Sequence, residues 1–342
     1  MKKWLVARKS HPGDINSLIG VANNIDSDPV RIIHHEEIIA AGGLEGYLKQ
    51  VAGQLNTTLH NRSIYPDLLL ACHNKSTEFA VQLKRRSMGR TFLVNLRDPE
   101  ADHSMFDLIA NPTHVSPLIG DNIFPVTGIS HKVTPEAIAA ETELWKGRLV
   151  AESDTRLKIA VMVGGSSDPT INETGGGPLD PAQLEAFGKG LLEMARRMDA
   201  VIIASNSHRT PEDGWERFCG QIGERASYIH NWEQGPATGN PYFAMLGTAD
   251  VLITTADSMS MGCEAASTGK PHYIGGLNFS STRGDHAKLA QELFAGGFSR
   301  PLISLYADNP LNWNNKPILN TANTIASEAN RRIITRVSAI NH

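Results

Sequence analysis

Short apolar runs alternate with amphipathic stretches along the chain. KKWLVAR (2–8), VRIIHH (30–35), PDLLLACH (66–73) and GRTFLVNLRDP (89–99) are apolar runs flanked by polar or turn residues, and they read as strands. DINSLIGVANN (14–24), GLEGYLKQVAGQL (43–55) and STEFAVQLKRRS (76–87) carry apolar residues at helical spacing. The last of these ends in basic residues, which suit the negative end of a helix dipole. Strands alternating with helices predict a parallel α/β sheet.

The alternation pauses between 133 and 156, where TPEAIAAETELWKGRLVAE reads as a helix followed by SDTR. It restarts with the strand LKIAVMVGGSS (157–167), a helix over 181–198, the strand AVIIASNS (200–207), a helix over 211–223 and the strand ASYIHNW (226–232). A short helix at 240–249, strands DVLITTA (250–256) and PHYIGG (271–276), and helices at 285–297 and 320–338 complete the pattern. No low-complexity tract or short-period repeat interrupts it. The expected organisation is two similar α/β halves, residues 1–150 and 151–315, with a final segment, 316–342, that carries the last helix.

Composition narrows this without redirecting it. A chain of 342 residues fits two domains at about 100–200 residues each. A net charge of -4 gives no general attraction to nucleic acid or to an anionic membrane. Cys72, Cys219 and Cys263 are far apart and match no zinc or redox spacing. Free thiols fit a reducing, cytoplasmic setting. No run approaches the roughly 18 apolar residues of a membrane span, so any membrane contact is expected to be peripheral, at the inner membrane. The opening MKKWLVARKSHPGD has too short an apolar piece for a secretory signal and reads as a first strand.

In open α/β sheets, ligands sit beyond the carboxyl ends of the strands. The second half offers three polar strand ends. VMVGGSSDP supplies Gly164 and Gly165 for close backbone approach and Ser166 and Ser167 as donors toward phosphate, although it reads equally as an ordinary glycine loop. The glycines at 175–177 lengthen that loop and depart from the G-x-G-x-x-G dinucleotide fingerprint. IIASNSHRTPED supplies Arg209, a planar fork for phosphate, and Thr210 as the N-cap of a helix opening at Pro211.

The third strand end, TTADSMSMGCEAASTGKPHYI (254–274), has Asp257 or Ser258 as N-cap of a helix over about 259–268. Met259, Cys263 and Ala266 form its core face, and Ser260 and Glu264 the opposite one. Amides at the start of that helix suit an anion, and a carboxylate one turn deeper suits a ribose diol. The alternative is a capped helix with a solvated glutamate. In the first half, RKSHPGDINSL (8–18) places His11 and Asp14 just past the first strand, as a candidate general base or as a loop histidine beside a helix cap. His114, Ser130 and His131 add polar groups, but no H-x-x-x-H or H-x-H pair supports a metal.

Together these stretches resemble the Elm-type mitochondrial-fission proteins and their bacterial relatives, which are assigned to the GT-B glycosyltransferase superfamily. VMVGGSSD (161–168), SHRTPE (207–212), NPYFAML (240–246) and the 254–274 segment carry the resemblance, with LRDPEADHSMFDLIANPTH (96–114) and GISHKVTPE (128–136) in the first half. Residues 8–18 depart from the glycine-histidine-asparagine-glutamine-like loop of those relatives. GGSS and the 257–271 helix are similar to the donor loop and donor helix of MurG-type N-acetylglucosaminyltransferases.

The resemblance implies two Rossmann-like domains with parallel sheets facing a cleft, and a last helix, 320–338, that crosses back to the first domain. The second would bind a nucleoside-diphosphate sugar and the first a saccharide or lipid-linked acceptor. It places the diphosphate near Ser166, Arg209 and Ser258 and the ribose on Glu264, with Gly164, Gly165, Ser167, Thr210, Asp257, Met259 and Ser260 completing the donor-binding set. His11 or Asp14 would deprotonate the acceptor. The implied activity is metal-independent sugar transfer with no cofactor. A sugar-nucleotide 2-epimerase and a non-catalytic fission-type interaction protein are the alternatives.

Overall fold

The computed structural model describes the chain apart from residues 73, 166–178, 236–238, 280, 281, 283, 308, 311, 314, 315, 341 and 342. It divides into two compact units, one formed by Met1–Lys132 with Asn320–His342 and the other by Val133–Leu319. Among the described residues, no helix is long and apolar enough to cross a membrane.

The first unit contains strands β1 (Lys3–Ala7), β2 (Val30–His34), β3 (Leu68–Ala71), β4 (Phe92–Leu96), β5 (Leu108–Pro112) and β6 (Ile123–Val126). They form one parallel sheet in the order β2-β1-β3-β4-β5-β6. Its helices are α1 (Pro12–Ile25), α2 (His35–Ala40), α3 (Leu44–Gln54), α4 (Asn74–Arg86) and, from the far end of the chain, α11 (Thr321–Ile340). β1, β3 and β4 are buried along their whole length, as strands covered on both faces must be. Alternation sorts their side chains. Leu5 and Ala7 join Leu18 and Val21 of α1 and Ile325 and Ala329 of α11, while Trp4 and Val6 join Leu48 of α3 and Leu83 of α4.

The second unit contains α5 (Pro135–Leu144), β7 (Leu157–Met162), α6 (Pro181–Arg197), β8 (Ala200–Ser205), α7 (Glu212–Ile222), β9 (Ala226–His230), α8 (Tyr242–Thr248), β10 (Val251–Thr255), α9 (Met259–Ala266), β11 (His272–Gly275), α10 (Gly284–Ala295) and β12 (Arg300–Pro301). Its parallel sheet runs β12-β11-β10-β7-β8-β9. The chain builds outward from β7 to β9, then returns to the other side of β7 for β10 to β12. The order therefore reverses between β7 and β10, the place where open α/β sheets leave a crevice.

The unit boundary lies at 132/133, not after residue 150 as the sequence pattern suggested. The reason is packing. Trp145, Leu149 and Val150 belong to the same core as Met162, Ile203 and Met245. α5 also lies so close to α8 that a Cβ on Gly247 would stand 1.9 Å from the Thr142 hydroxyl. Leu319 still bonds Ala266 of the second unit, and Asn320 onward, with the last helix, belongs to the first.

Candidate functional site

β7 ends at Met162, and its exit runs directly into the loops after β8 and β10. The Gly164 amide donates to the Thr255 hydroxyl at 2.8 Å. A Cβ on Gly164 would lie 2.8 Å from Cβ of Ser258 and 3.0 Å from both carboxylate oxygens of Asp257. A Cβ on Gly165 would lie 2.2 Å from the backbone of Arg209. Both glycines are thus demanded by the approach of neighbouring loops. Thr210 fastens the third side, since its hydroxyl donates to the Gly164 carbonyl at 2.5 Å and accepts from the Ser207 amide at 2.9 Å. It does not cap α7 as its sequence position suggested. Pro211 occupies that position, and the helix opens without a side-chain cap. The tertiary carbonyl has taken the hydroxyl.

Ser258 is the N-cap of α9, its hydroxyl accepting from the Met261 amide. Asp257 beside it is 2 % exposed. Neither of its oxygens has a hydrogen-bond partner of good geometry among the described residues. Burial pushes its pKa up, against smaller opposing pulls from the Thr255 hydroxyl, its own amide and the Arg209 charge. A buried carboxyl without a well-placed partner is costly, and groups so perturbed concentrate at functional sites. Met259 is half-buried and Ser260 exposed on the first turn, while Cys263 and Ala266 are buried.

Glu264 departs from the sequence expectation of an open polar face. It is 8 % exposed, and the Tyr242 hydroxyl donates to its Oε2 at 2.7 Å. Burial and the adjacent carboxylate hold the Tyr242 phenol well above its usual pKa, so it stays a donor. Tyr242 was not singled out from the sequence. The available signal was its place in NPYFAML, immediately before the apolar face of a helix. Behind α9, His272 accepts and donates between Thr254 and Ser299 at 2.9 and 2.7 Å, and burial pushes its pKa down to about 3. It is a neutral, structural imidazole.

Arg209 is exposed beside this group, and its charge reaches Asp257. His208 packs at 5.9 Å against Trp232, a half-exposed ring just past β9 that the sequence reading also passed over. Ser166 and Ser167 lie outside the described residues. Gly164, Gly165, Arg209, Thr210, Asp257 and Ser258 are therefore brought together, with Glu264 on the same short helix but turned into a hydrogen bond with α8.

The first unit places His11 and Asp14 at the start of α1. Both ring nitrogens of His11 are engaged: Arg8 donates to Nε2 at 2.7 Å, and Nδ1 pairs with the Ser10 hydroxyl at 2.8 Å. A general base needs the nitrogen that Arg8 occupies here. Asp14 lies near the Cys72 thiol, whose pKa burial pushes up to about 12. His114 and His131 are buried, and Ser130 exchanges hydrogen bonds with Ser17. Gly20 of α1 packs so near His131 that a Cβ would lie 2.1 Å from its carbonyl oxygen. Ser130 and His131 fasten the 128–132 loop to α1. Among the described residues, no group of three or more His, Cys, Asp or Glu is arranged to hold a metal.

Residues 12–333 match the family described as Mitochondrial fission ELM1. A mitochondrial fission protein ELM1 of Arabidopsis thaliana is 23% identical over 280 residues, covering 75% of this chain and 62% of its own length. An uncharacterized protein of Rickettsia prowazekii is 26% identical over 241 residues, covering 61% of this chain and 64% of its own. The chain thus spans a little under two thirds of the curated relatives it matches. Among solved structures, a Listeria monocytogenes protein assigned as a UDP-N-acetylglucosamine 2-epimerase superposes with a TM-score of 0.54 at 14% identity, over 99% of this chain and 96% of that one. The two parallel six-stranded sheets are of the GT-B type.

Proposed function

The chain belongs to the Mitochondrial fission ELM1 family, and from that premise we propose that its second unit binds a nucleoside-diphosphate sugar and that the protein transfers the sugar to an acceptor hydroxyl. The observation that carries this reading is the meeting of three strand-end loops at the β7/β10 reversal, around a buried carboxyl with no hydrogen-bond partner of good geometry among the described residues. The diphosphate lies at the start of α9, where the first amides and the helix dipole favour negative charge. Arg209 adds a full positive charge with fork geometry. Asp257 in its neutral form donates an O–H to a phosphate oxygen without adding repulsion. Trp232 offers a flat apolar face for the base, and Glu264 accepts from the ribose through its remaining capacity.

In the transfer step the acceptor oxygen attacks the anomeric carbon, its proton passing to His11 or Asp14. The bond from that carbon to the diphosphate breaks, and the nucleoside diphosphate leaves with the electron pair. Arg209 and the α9 amides stabilise the charge that gathers on the leaving group, which is the interaction worth most in such a step. The Listeria relative in fold favours a second reading, a 2-epimerase that rearranges the sugar without an acceptor. A third, a non-catalytic role in fission, draws on the family name alone.

Thermal shift against a panel of nucleoside diphosphates and their sugars tests the common core of the first two readings. Ligand that binds only the folded state raises stability by RT ln(1 + [L]/Kd). A rise of roughly 3 kcal/mol in unfolding free energy is expected at a hundredfold excess over Kd, and Arg209→Ala removes most of it. No response to any nucleotide would sink the donor-site reading. Consumption of the sugar nucleotide without acceptor would decide for the epimerase.

A further inference from the structure

The carboxyl end of the first sheet carries a second group that the scheme above leaves unused. Val6, Ala71 and Asn95 are level in the register of β1, β3 and β4. Arg8 and Arg97 are each the first residue past their strand, β1 and β4, and so stand at one height on either side of the chain leaving β3. Two strand spacings separate them, about 10 Å between backbones. Both charges, with that of Asp14, act on the Cys72 thiol between them.

Most arginines elsewhere in the chain that lie near acids are paired: Arg156 with Asp154, Arg225 with Asp199, Arg332 with Glu328. These two are not. The Arg97 guanidinium has neither a hydrogen bond nor an ion pair among the described residues. Arg8 has one side-chain partner, the His11 ring, and its Nε is buried without one. Arg97 also sits at φ +88°, in the left-handed region, held there by its amide on the Ala110 carbonyl and by Asn95 on its own carbonyl. A non-glycine residue in that region is strained and persists where the surroundings over-determine it. A small pocket lined by Ser17, Cys72, Arg97, Pro112, Ser130 and Thr321 opens beside it. α1 begins nearby without a side-chain cap, with open space around Gly13.

We infer that the first unit holds a site for a phosphate-bearing ligand, gripped between the guanidinium groups of Arg8 and Arg97. Two planar forks match phosphate oxygens bidentately. The ligand's role as the sugar acceptor rests on the transfer reading above; the site itself does not. An anion here also offers Arg8 a charged partner in place of the imidazole, which releases His11 Nε2 to take a proton.

The test uses the full chain, with glycerol 3-phosphate as a soluble phosphate monoester, phosphatidylcholine vesicles doped with phosphatidic acid as a lipid one, and UDP as the probe of the second unit. The expected result is stabilisation by glycerol 3-phosphate or sedimentation with the doped vesicles. Either response weakens at least tenfold in Arg8→Ala and in Arg97→Gly, while the UDP response is unchanged. Arg97→Gly also relieves the backbone, so its unliganded Tm holds or rises, which separates lost binding from lost folding. Response to the vesicles alone assigns a lipid headgroup, and to the soluble ester alone a free phosphate. Wild type responding to neither, or both variants responding as wild type does, overturns the site. No response to UDP or to any other nucleoside diphosphate overturns the donor reading and leaves this one standing.

Discussion

Asp257 shows how much one side chain can say about a site. Its pKa is raised in the folded state, so between the ordinary value of 3.8 and the raised one the native protein holds a proton that the unfolded chain releases. Stability from this group is therefore full below 3.8 and is lost as pH rises through the folded value. Asp257→Asn has no proton to lose. The difference in Tm between variant and wild type should grow in the variant's favour, by roughly 2 °C, as pH is raised from 3.8 toward neutrality. Calorimetry across that range checks it, and a difference that does not change with pH would mean the carboxylate is ionised at little cost.

The sequence already marked Gly164, Gly165, Arg209, Asp257 and Ser258, because glycines, a planar cation and caps after strands are legible from type and order. It did not reveal that the glycines admit the backbone of Arg209 and the Asp257 side chain. Nor did it reveal that Thr210 answers the Gly164 carbonyl, just past β7, instead of its own helix. Those facts depend on strands far apart in the chain, and local spacing carries no record of them.

Elements were read with similar unevenness. Runs buried on both faces, such as β1, β3, β7 and β10, stood out in the sequence. β5 and β6 did not: each is broken by a proline, Pro112 and Pro125. β6 is the edge of its sheet, where a residue without an N–H is tolerated. The pairing of α8 with α9 was also out of view, since it joins two short helices through Tyr242 and Glu264. Tyr242→Phe leaves Glu264 one donor short in a buried setting. We expect a loss of about 1–3 kcal/mol in urea unfolding, with the slope unchanged. An unaltered midpoint would show that Glu264 finds its hydrogen bond elsewhere.

The division of the whole chain was half legible. Two α/β halves followed from the restart of alternation after residue 156, but the boundary followed from the burial of Trp145 and its neighbours, which periodicity does not foretell. α11 matters most to the first unit, where Ala322, Ile325, Ala326 and Ala329 lie in the core with Leu18 and Val21. A chain ending at Leu319 would uncover that layer. Losing a buried isoleucine and three alanines, and exposing what they cover, removes on the order of 5 kcal/mol, comparable to the whole stability of a small domain. Scanning calorimetry of that truncation is expected to lose the transition of the first unit and keep that of the second. Two transitions at their original temperatures would contradict the assignment of α11.

Because the first unit is made of both ends of the chain, Val133–Leu319 is in effect an insertion within it. Domains made on the ribosome usually fold in the order in which they are synthesised. Here the order is inverted. The second unit is complete once residue 319 has emerged, while the first must wait, with its α1 face uncovered, for the last helix to be released. Residues 1–132 are translated before the second unit yet completed after it, and in that interval their exposed apolar layer is the surface a chaperone would find.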